Sequence, residues 1–518
     1  MFRKSTGHLQ DDLYPFKNDL TKEKREKLEK SEETYFYNTI FCNIKEEEFK
    51  VIYSDDDGSR PNAPINSMVA SLILMNRYYW TYEELFDRID FDLLTRTALG
   101  LENLHETPFC QATLFNFQNR LSEYFIKTGD NIIEKVFDGL TREELKTLRL
   151  KTNIQRSDST LIASNIRNYT RLQLLVEVII RMHRILTEED KKAYEEYFAP
   201  YVKQTSGQYI YRIKGKDTNE KLSEIGRMYY WINTNIKEKY GDKEIFRVFE
   251  RAYLEHFKTE NEKIEIRPNE EMHSSMLQSP DDIEATFRKK GTQISKGQVI
   301  NVTETANPDN PIQLIMDIAV KPNNIDDSEI LNERIEKIKE KAPDLDEIHT
   351  DGGYGSEDND IKMEAQKINH IQTAIRGREE KVEIKVEKKD DGSYKVSCHE
   401  QCVESKKAKK RNKAVFNLER CKNCPVAGDC PTILMNKGRV FYFTDNYYLM
   451  KKRQDNILNI PKERRGLRPN VEATVKEIKY PTKGKLKVRG IFKTMIYAYT
   501  RGISVNFGRI YRFCGIPA

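Results

Sequence analysis

No stretch of this chain approaches the run of about 20 apolar residues that a membrane-spanning helix needs. The closest, Leu172 to Met182, is interrupted by Glu177 and Arg181 and reads as a buried helix. The opening Met1-Phe-Arg-Lys-Ser-Thr-Gly runs straight into charged residues with no apolar core behind it. No secretory signal is therefore expected, and a reducing cytoplasm is the expected setting. Thiols in such a compartment read as metal ligands or inert packing groups rather than disulfides. Charge of one sign is also missing: 87 Lys and Arg nearly cancel 82 Asp and Glu, for a net +5. Any contact with nucleic acid must then come from local basic patches, not from a global field.

At 518 residues, with 38% hydrophobic and 33% charged positions, the chain exceeds one compact core and implies two to four soluble domains. Its organising stretch is Asp346-Glu-Ile-His-Thr-Asp351-Gly-Gly-Tyr-Gly-Ser356. A short β-branched run ends in a carboxylate, and two glycines turn the chain at once. Upstream, Ile312 to Val320 reads as a buried strand. Asp326-Asp327-Ser328 offers N-cap residues for a helix to about Lys341, with Ile330, Leu331, Ile335 and Ile338 on one face. Strand, helix and strand make a right-handed crossover between parallel strands. Asp351 is thereby placed at the carboxyl end of a strand, where open α/β sheets carry their chemistry. An ordinary Asp-Gly turn would be the reading if Asp351 stood alone.

A charged segment to about residue 60 precedes a helical region from Pro64. Met68, Val69, Leu72 and Met75 recur at helical spacing, Thr81 and Glu84 form a capping-box pattern, Gly100 ends a third helix, and a fourth spans about Ala112 to Phe137. This suits a helix-turn-helix-like DNA-binding module or, equally, a helical scaffold. From Leu148 the helical period breaks; Thr152, Ile154 and Arg156 alternate as in a strand that Asp158-Ser-Thr closes. Residues 165 to about 273 are again helical and aromatic-rich, Gln298 to Thr305 is another strand, and Ile371 to Ile375 one more. Asp158 and Asp351 can thus meet on one sheet. Converging carboxylates suit magnesium, which takes oxygen ligands and leaves positions for phosphate oxygens.

Residues 376 to about 455 read as an insertion that opens with a hairpin, Lys381 to Glu387 pairing back with Tyr394 to Cys398. Cys398, Cys402, Cys421, Cys424 and Cys430 cluster there, and the Cys-x2-Cys spacing suits tetrahedral zinc. Five thiols and His399 compete for four positions. Cys42, Cys110 and Cys514 are isolated packing residues. The basic run Lys406 to Lys413 is a solvated loop by default, or a phosphate grip beside the metal. Pro469 then fits the start of a helix running to Lys479, followed by a basic loop with Lys483, Lys485, Lys487 and Arg489. Glu472, Lys476 and Lys479 share one face of that helix, and Glu477 faces elsewhere.

Asp158-Ser-Thr, Asp351-Gly-Gly-Tyr-Gly, Arg468-x3-Glu472-x6-Lys479 and Lys485-x3-Arg489-Gly490 together resemble the signatures of DDE transposases of bacterial insertion sequences. The closer likeness is to the branch with an N-terminal helical domain and a cysteine-bearing insert before the Glu. The resemblance runs from about residue 60 to the end. It implies a ribonuclease-H-like α/β core in which Asp158, Asp351 and Glu472 bind two Mg2+ or Mn2+ ions. It further implies binding to terminal inverted repeats, strand cleavage and joining to target DNA, with a homodimer on paired ends. Arg468, Lys479, Lys485 and Arg489 would contact DNA, and Cys398, Cys421, Cys424 and Cys430 would hold zinc, with Cys402 as the alternative ligand. Arg465 stands where the family often has a tyrosine. The domains on this reading are an arm (1–60), a helical DNA-binding domain (61–145), and the first part of the core (146–375, with a helical insert at about 165–275). The zinc insert (376–455) and the last part of the core (456–518) follow. A non-catalytic DNA-binding descendant and a nuclease that cuts without joining are the competing functions.

Overall fold

The computed structural model describes residues 1–6, 15–54, 56, 58–105, 107–211, 213–260, 263–373, 381–409 and 411–515. Among the described residues six strands build the central sheet: Thr286–Lys290, β1 (Ile154–Ala163), β2 (Gln293–Thr305), β3 (Ile315–Pro322), β4 (Glu347–Thr350) and β5 (Asn369–Gln372). Their order is β3-β2-β1-β4-β5, and Thr286–Lys290 pairs with the first half of β2. β2 runs antiparallel to β1 and β3, whereas β1, β4 and β5 are parallel. This mixed α/β arrangement is consistent with a ribonuclease-H-like core. The crossover from β3 through helix α1 (Asp327–Lys341) to β4 joins strands of one direction, as expected, but passes over β2 and β1.

One expectation is corrected here. Asp158-Ser159-Thr160 does not close β1, which continues to Ala163 against Gln298 and Gly297. The long partner strand extends it, and Gly297 makes the close approach possible: a Cβ there would lie 2.3 Å from the Ile162 carbonyl oxygen. The last strand ends at Gln372, and its expected continuation to Ile375 falls outside the described residues.

Period-two alternation divides the strands between two layers. Ile300, Val302, Ile318 and Val320 face the N-terminal helices and the final helix, Ile491–Phe513. Val299 and Ala319 face Ile330 of α1. The first 60 residues share the N-terminal core through Phe36, Ile40, Phe41 and Phe49. Helix Ile65–Tyr78 is buried at every position from Ile65 to Asn76. Asn76 donates to Thr500 (2.8 Å), Ser504 donates to the Ile73 carbonyl (3.2 Å), and Arg501 donates to that of Arg77 (2.9 Å). This helix is therefore enclosed in the core. The expected helix from Ala112 to Phe137 is two helices, Gln111–Thr128 and Ile132–Thr147. Gly129 caps the first in the left-handed region, and the Asn131 side chain accepts from Ile133 and Glu134 N–H to start the second.

The segment after β1 forms helices from Arg171–Arg184 to Glu244–His256 around its own core of Leu175, Ile179, Phe198, Tyr229 and Phe249. The helical pattern was expected to run to about His273. It ends at His256, and Phe257–Glu260 pairs with Lys263–Ile266 as a ribbon. The cysteine-bearing segment is a six-stranded antiparallel sheet over Ile384, Val396, Phe416, Phe441 and Phe443. Its first hairpin pairs Lys385–Lys388 with Tyr394–Ser397, as the alternation suggested. The basic run is not a loose loop: it spans the hairpin of Cys402–Ala408 and Arg411–Phe416. Helix α3 (Asp445–Asn459) leads back to the core, where Arg453 meets Asp360 (3.1 Å) of α2 (Glu357–Ala365). Among the described residues no helix is long and apolar enough to cross a membrane.

Candidate active site

The parallel register pairs Ile154 with Glu347, Gln155 with Ile348 and Arg156 with His349. Carried two residues further, it brings Asp158 level with Asp351 at the carboxyl end of β4. Asp351 is fixed by its own loop: its carboxylate accepts from Gly353 N–H (2.7 Å) and caps the single turn Gly352–Tyr354. Tyr354 is fully buried beneath that turn and its hydroxyl accepts from Asn301 of β2 (2.6 Å). Sequence order alone gave no sign of that anchor.

Glu472 arrives on helix α4 (Val471–Lys479), after the turn Arg468–Asn470 that contains Pro469. Val471, Thr474 and Ile478 bury one side of α4, leaving Glu472, Lys476 and Lys479 on the outward side as the spacing implied. A charged network sets the pose of the helix. Glu304 of β2, with no exposed surface, accepts from Arg156 (2.7 Å), Thr474 (2.6 Å) and Arg509 (2.8 Å). Arg156 also donates to the Leu467 carbonyl (3.0 Å), and Arg509 pairs with Glu477 (2.6 Å). Glu477 thus points away from the strand ends. Glu463 lies on the turn Lys462–Arg464 of the approach and is exposed.

Asp158, Asp351 and Glu472 meet around one side chain. The Arg468 guanidinium lies 3.1 Å from Asp158, 3.9 Å from Asp351 and 2.8 Å from Glu472. Burial raises the Asp158 carboxyl above the usual range; Arg468 and the Ser159 N–H oppose the rise, and Asp351 and Asp327 add to it. Asp327, expected only as part of a helix start, accepts from Ser159 beside this cluster. Hard carboxylate oxygens are the donor set that magnesium and manganese take. Among the described residues, however, no three His, Cys, Asp or Glu side chains stand together as a metal cage in their present positions.

The other basic candidates divide. Lys485 pairs its backbone with Ala163 at the end of β1 and donates its ammonium to the Ile166 carbonyl (3.1 Å). Arg489 donates to the Asn165 carbonyl (2.8 Å) and pairs with Asp281 (3.3 Å). Lys479 makes no ion pair among the described residues. In the insert, Cys398, Cys421, Cys424, Cys430 and His399 line one small cavity of about 20 Å³. Cys402 does not line it: exposed on its strand, it accepts from the Ser397 hydroxyl (3.2 Å).

A family model described as a transposase DDE domain matches residues 393–511. The match contains Glu472, Arg468, Lys479 and all five clustered cysteines, and begins after Asp158 and Asp351. It supports a DDE transposase. No curated protein and no solved structure matches the chain.

Proposed function

We propose that this chain is a metal-dependent DNA transposase of the bacterial insertion-sequence type, acting in the cytoplasm on the terminal inverted repeats of a mobile element. It cuts the element ends and joins them to target DNA, as a homodimer on paired ends. The convergence of Asp158, Asp351 and Glu472 on a single guanidinium carries this reading. Two Mg2+ or Mn2+ ions at these carboxylates would supply the charge that activates an attacking hydroxyl and stabilises the leaving oxygen. The chain's own part is positional. β1 and the Asp351 turn hold two carboxylates on a rigid sheet, and the Glu304 network holds the third on α4. Lys476 and Lys479, one and two turns beyond Glu472, present cations to the adjoining phosphates. Arg468, Lys485 and Arg489 are assigned to the element end. In the insert, Cys398, Cys421, Cys424 and Cys430 would hold one structural zinc, since they share a cavity that Cys402 does not reach.

The test is cleavage of a supercoiled plasmid carrying the element ends, with Mg2+ or Mn2+ and with EDTA. Asp158→Asn, Asp351→Asn and Glu472→Gln should each abolish cutting while binding the ends nearly as the parent does. Glu463→Gln and Glu477→Gln should retain most cutting. Full cutting by any of the first three would overturn the assignment.

A further inference from the structure

We infer that Arg468 is an internal counter-ion of the carboxylate cluster, and that divalent cations enter only by displacing it. This rests on the metal-dependent reading above and adds to it a competition built into the chain. The guanidinium fork is shared: one terminal nitrogen reaches Glu472, and the other reaches Asp158 and Asp351. Asp158 and Arg468 are 14% and 15% exposed, so the pair is poorly screened by water. Three carboxylates converging on such a site repel one another unless a cation stands among them. Here the chain supplies that cation itself. The same placement keeps these three carboxylates from closing on one another, because a planar guanidinium spaces them by hydrogen-bond lengths. Arg468 is also imperfectly housed: its Nε–H is buried without a partner. Leaving the cluster frees that donor.

What releases this side chain is competition from another cation at the same carboxylates. The backbone around it is held by the Arg156 bond to the Leu467 carbonyl and by Pro469, so the side chain can leave while Glu472 stays in place. An arginine moved off these carboxylates suits a phosphate equally well, because its planar fork fits either anion. Arg468 therefore has two stations, the empty cluster and the bound DNA.

The experiment is Mn2+ titration of the full chain without DNA, read by the electron paramagnetic resonance of free Mn2+, with thermal melting in EDTA and in Mn2+. Arg468→Gln should bind Mn2+ roughly tenfold more tightly than the parent, the factor that 1.4 kcal/mol represents. It should melt below the parent in EDTA and gain more from Mn2+. Arg465→Gln removes the same charge from an exposed site three residues away and should stay within about twofold of the parent. Arg468→Lys, a gentler variant that keeps the charge without the fork, should fall between. Unchanged or weaker binding by Arg468→Gln, or equal tightening by Arg465→Gln, would overturn the competition alone. A parent that binds no Mn2+, or Asp158→Asn binding as the parent does, would remove the metal-dependent reading beneath it.

Discussion

Replacing Glu304 by Gln is the sharpest test of how the third carboxylate is held. Glu304 is wholly buried and accepts from two guanidiniums and a hydroxyl. Removing its charge leaves Arg156 and Arg509 facing each other's field in a site with little water. Breaking a buried ion pair from one side costs about 3–5 kcal/mol. The lower end applies here, because Gln keeps the shape and one acceptor. Arg156 also retains the Leu467 carbonyl, and Arg509 retains Glu477 and the Gln313 carbonyl. Glu477→Gln is the control: its carboxylate is 37% exposed, and its loss should cost no more than about 1 kcal/mol. A chain with several separate cores does not unfold in one step, so the measurement should be local. Native-state hydrogen exchange of the α4 amides should accelerate by roughly a hundredfold in Glu304→Gln, the factor that about 3 kcal/mol represents. Exchange in the helical insert, which has its own core, should not change. Mn2+ affinity should fall although Glu304 touches no metal. Unaltered α4 exchange, or equal acceleration throughout the chain, would refute the assignment of this network to helix placement.

A second buried cluster gives a pH dependence. Asp317 of β3 is enclosed, and although burial alone would raise its carboxyl, Lys341 and Arg334 bring it down to about 2. A depressed carboxylate stabilises the fold above its unfolded value near 4, and the contribution, about 2–3 kcal/mol, is lost as pH falls towards 2. The melting difference between the parent and Asp317→Asn should therefore be large at neutral pH and shrink below pH 4. A constant difference would contradict this. Gly502→Ala would place a Cβ 2.5 Å from Ile318 and 3.1 Å from Phe137. It should lower the melting temperature through overpacking worth about 1–3 kcal/mol, although alanine favours helix by about 1; a stabilised variant would show that the helix has room to shift. Metal analysis after dialysis should give about one zinc per chain for the parent and for Cys402→Ser, and little for the Cys421→Ser, Cys424→Ser double variant. Full zinc in the double variant, or its loss in Cys402→Ser, would reassign the ligands.

What was legible in the residues was local. The strand, helix and Asp351 turn could be read because β-branched runs, N-cap residues and paired glycines act over a few positions. The limits of β1 could not, because Ser159 and Thr160 look like a turn until a 13-residue partner strand lies alongside. The break at Gly129 was visible as Gly-Asp-Asn, but apolar periodicity on both sides outweighed it. The i,i+4 relation of Arg468 to Glu472 was plain on the page. Its bond to Asp158, 310 positions away, was not, since nothing in spacing tells a guanidinium which anion it will meet. The anchors Glu304 and Asn301 were hidden for the same reason: each is an ordinary polar residue in a strand until its partners fold onto it.

The enclosure of helix Ile65–Tyr78 bears on how the molecule is made. Its last turn is closed by Thr500, 424 residues downstream. At translation rates of about 5–20 residues per second, that partner emerges roughly 20 to 85 s later. For that interval a helix that is buried from Ile65 to Asn76 in the finished fold waits without part of its cover. The insert cores, whose partners lie close in sequence, can form meanwhile. The layer that brings Asp158, Asp351 and Glu472 together is thus the last to close, after the two separate cores. Chaperone depletion should hence cost yield of the whole protein before it affects the folding of either insert.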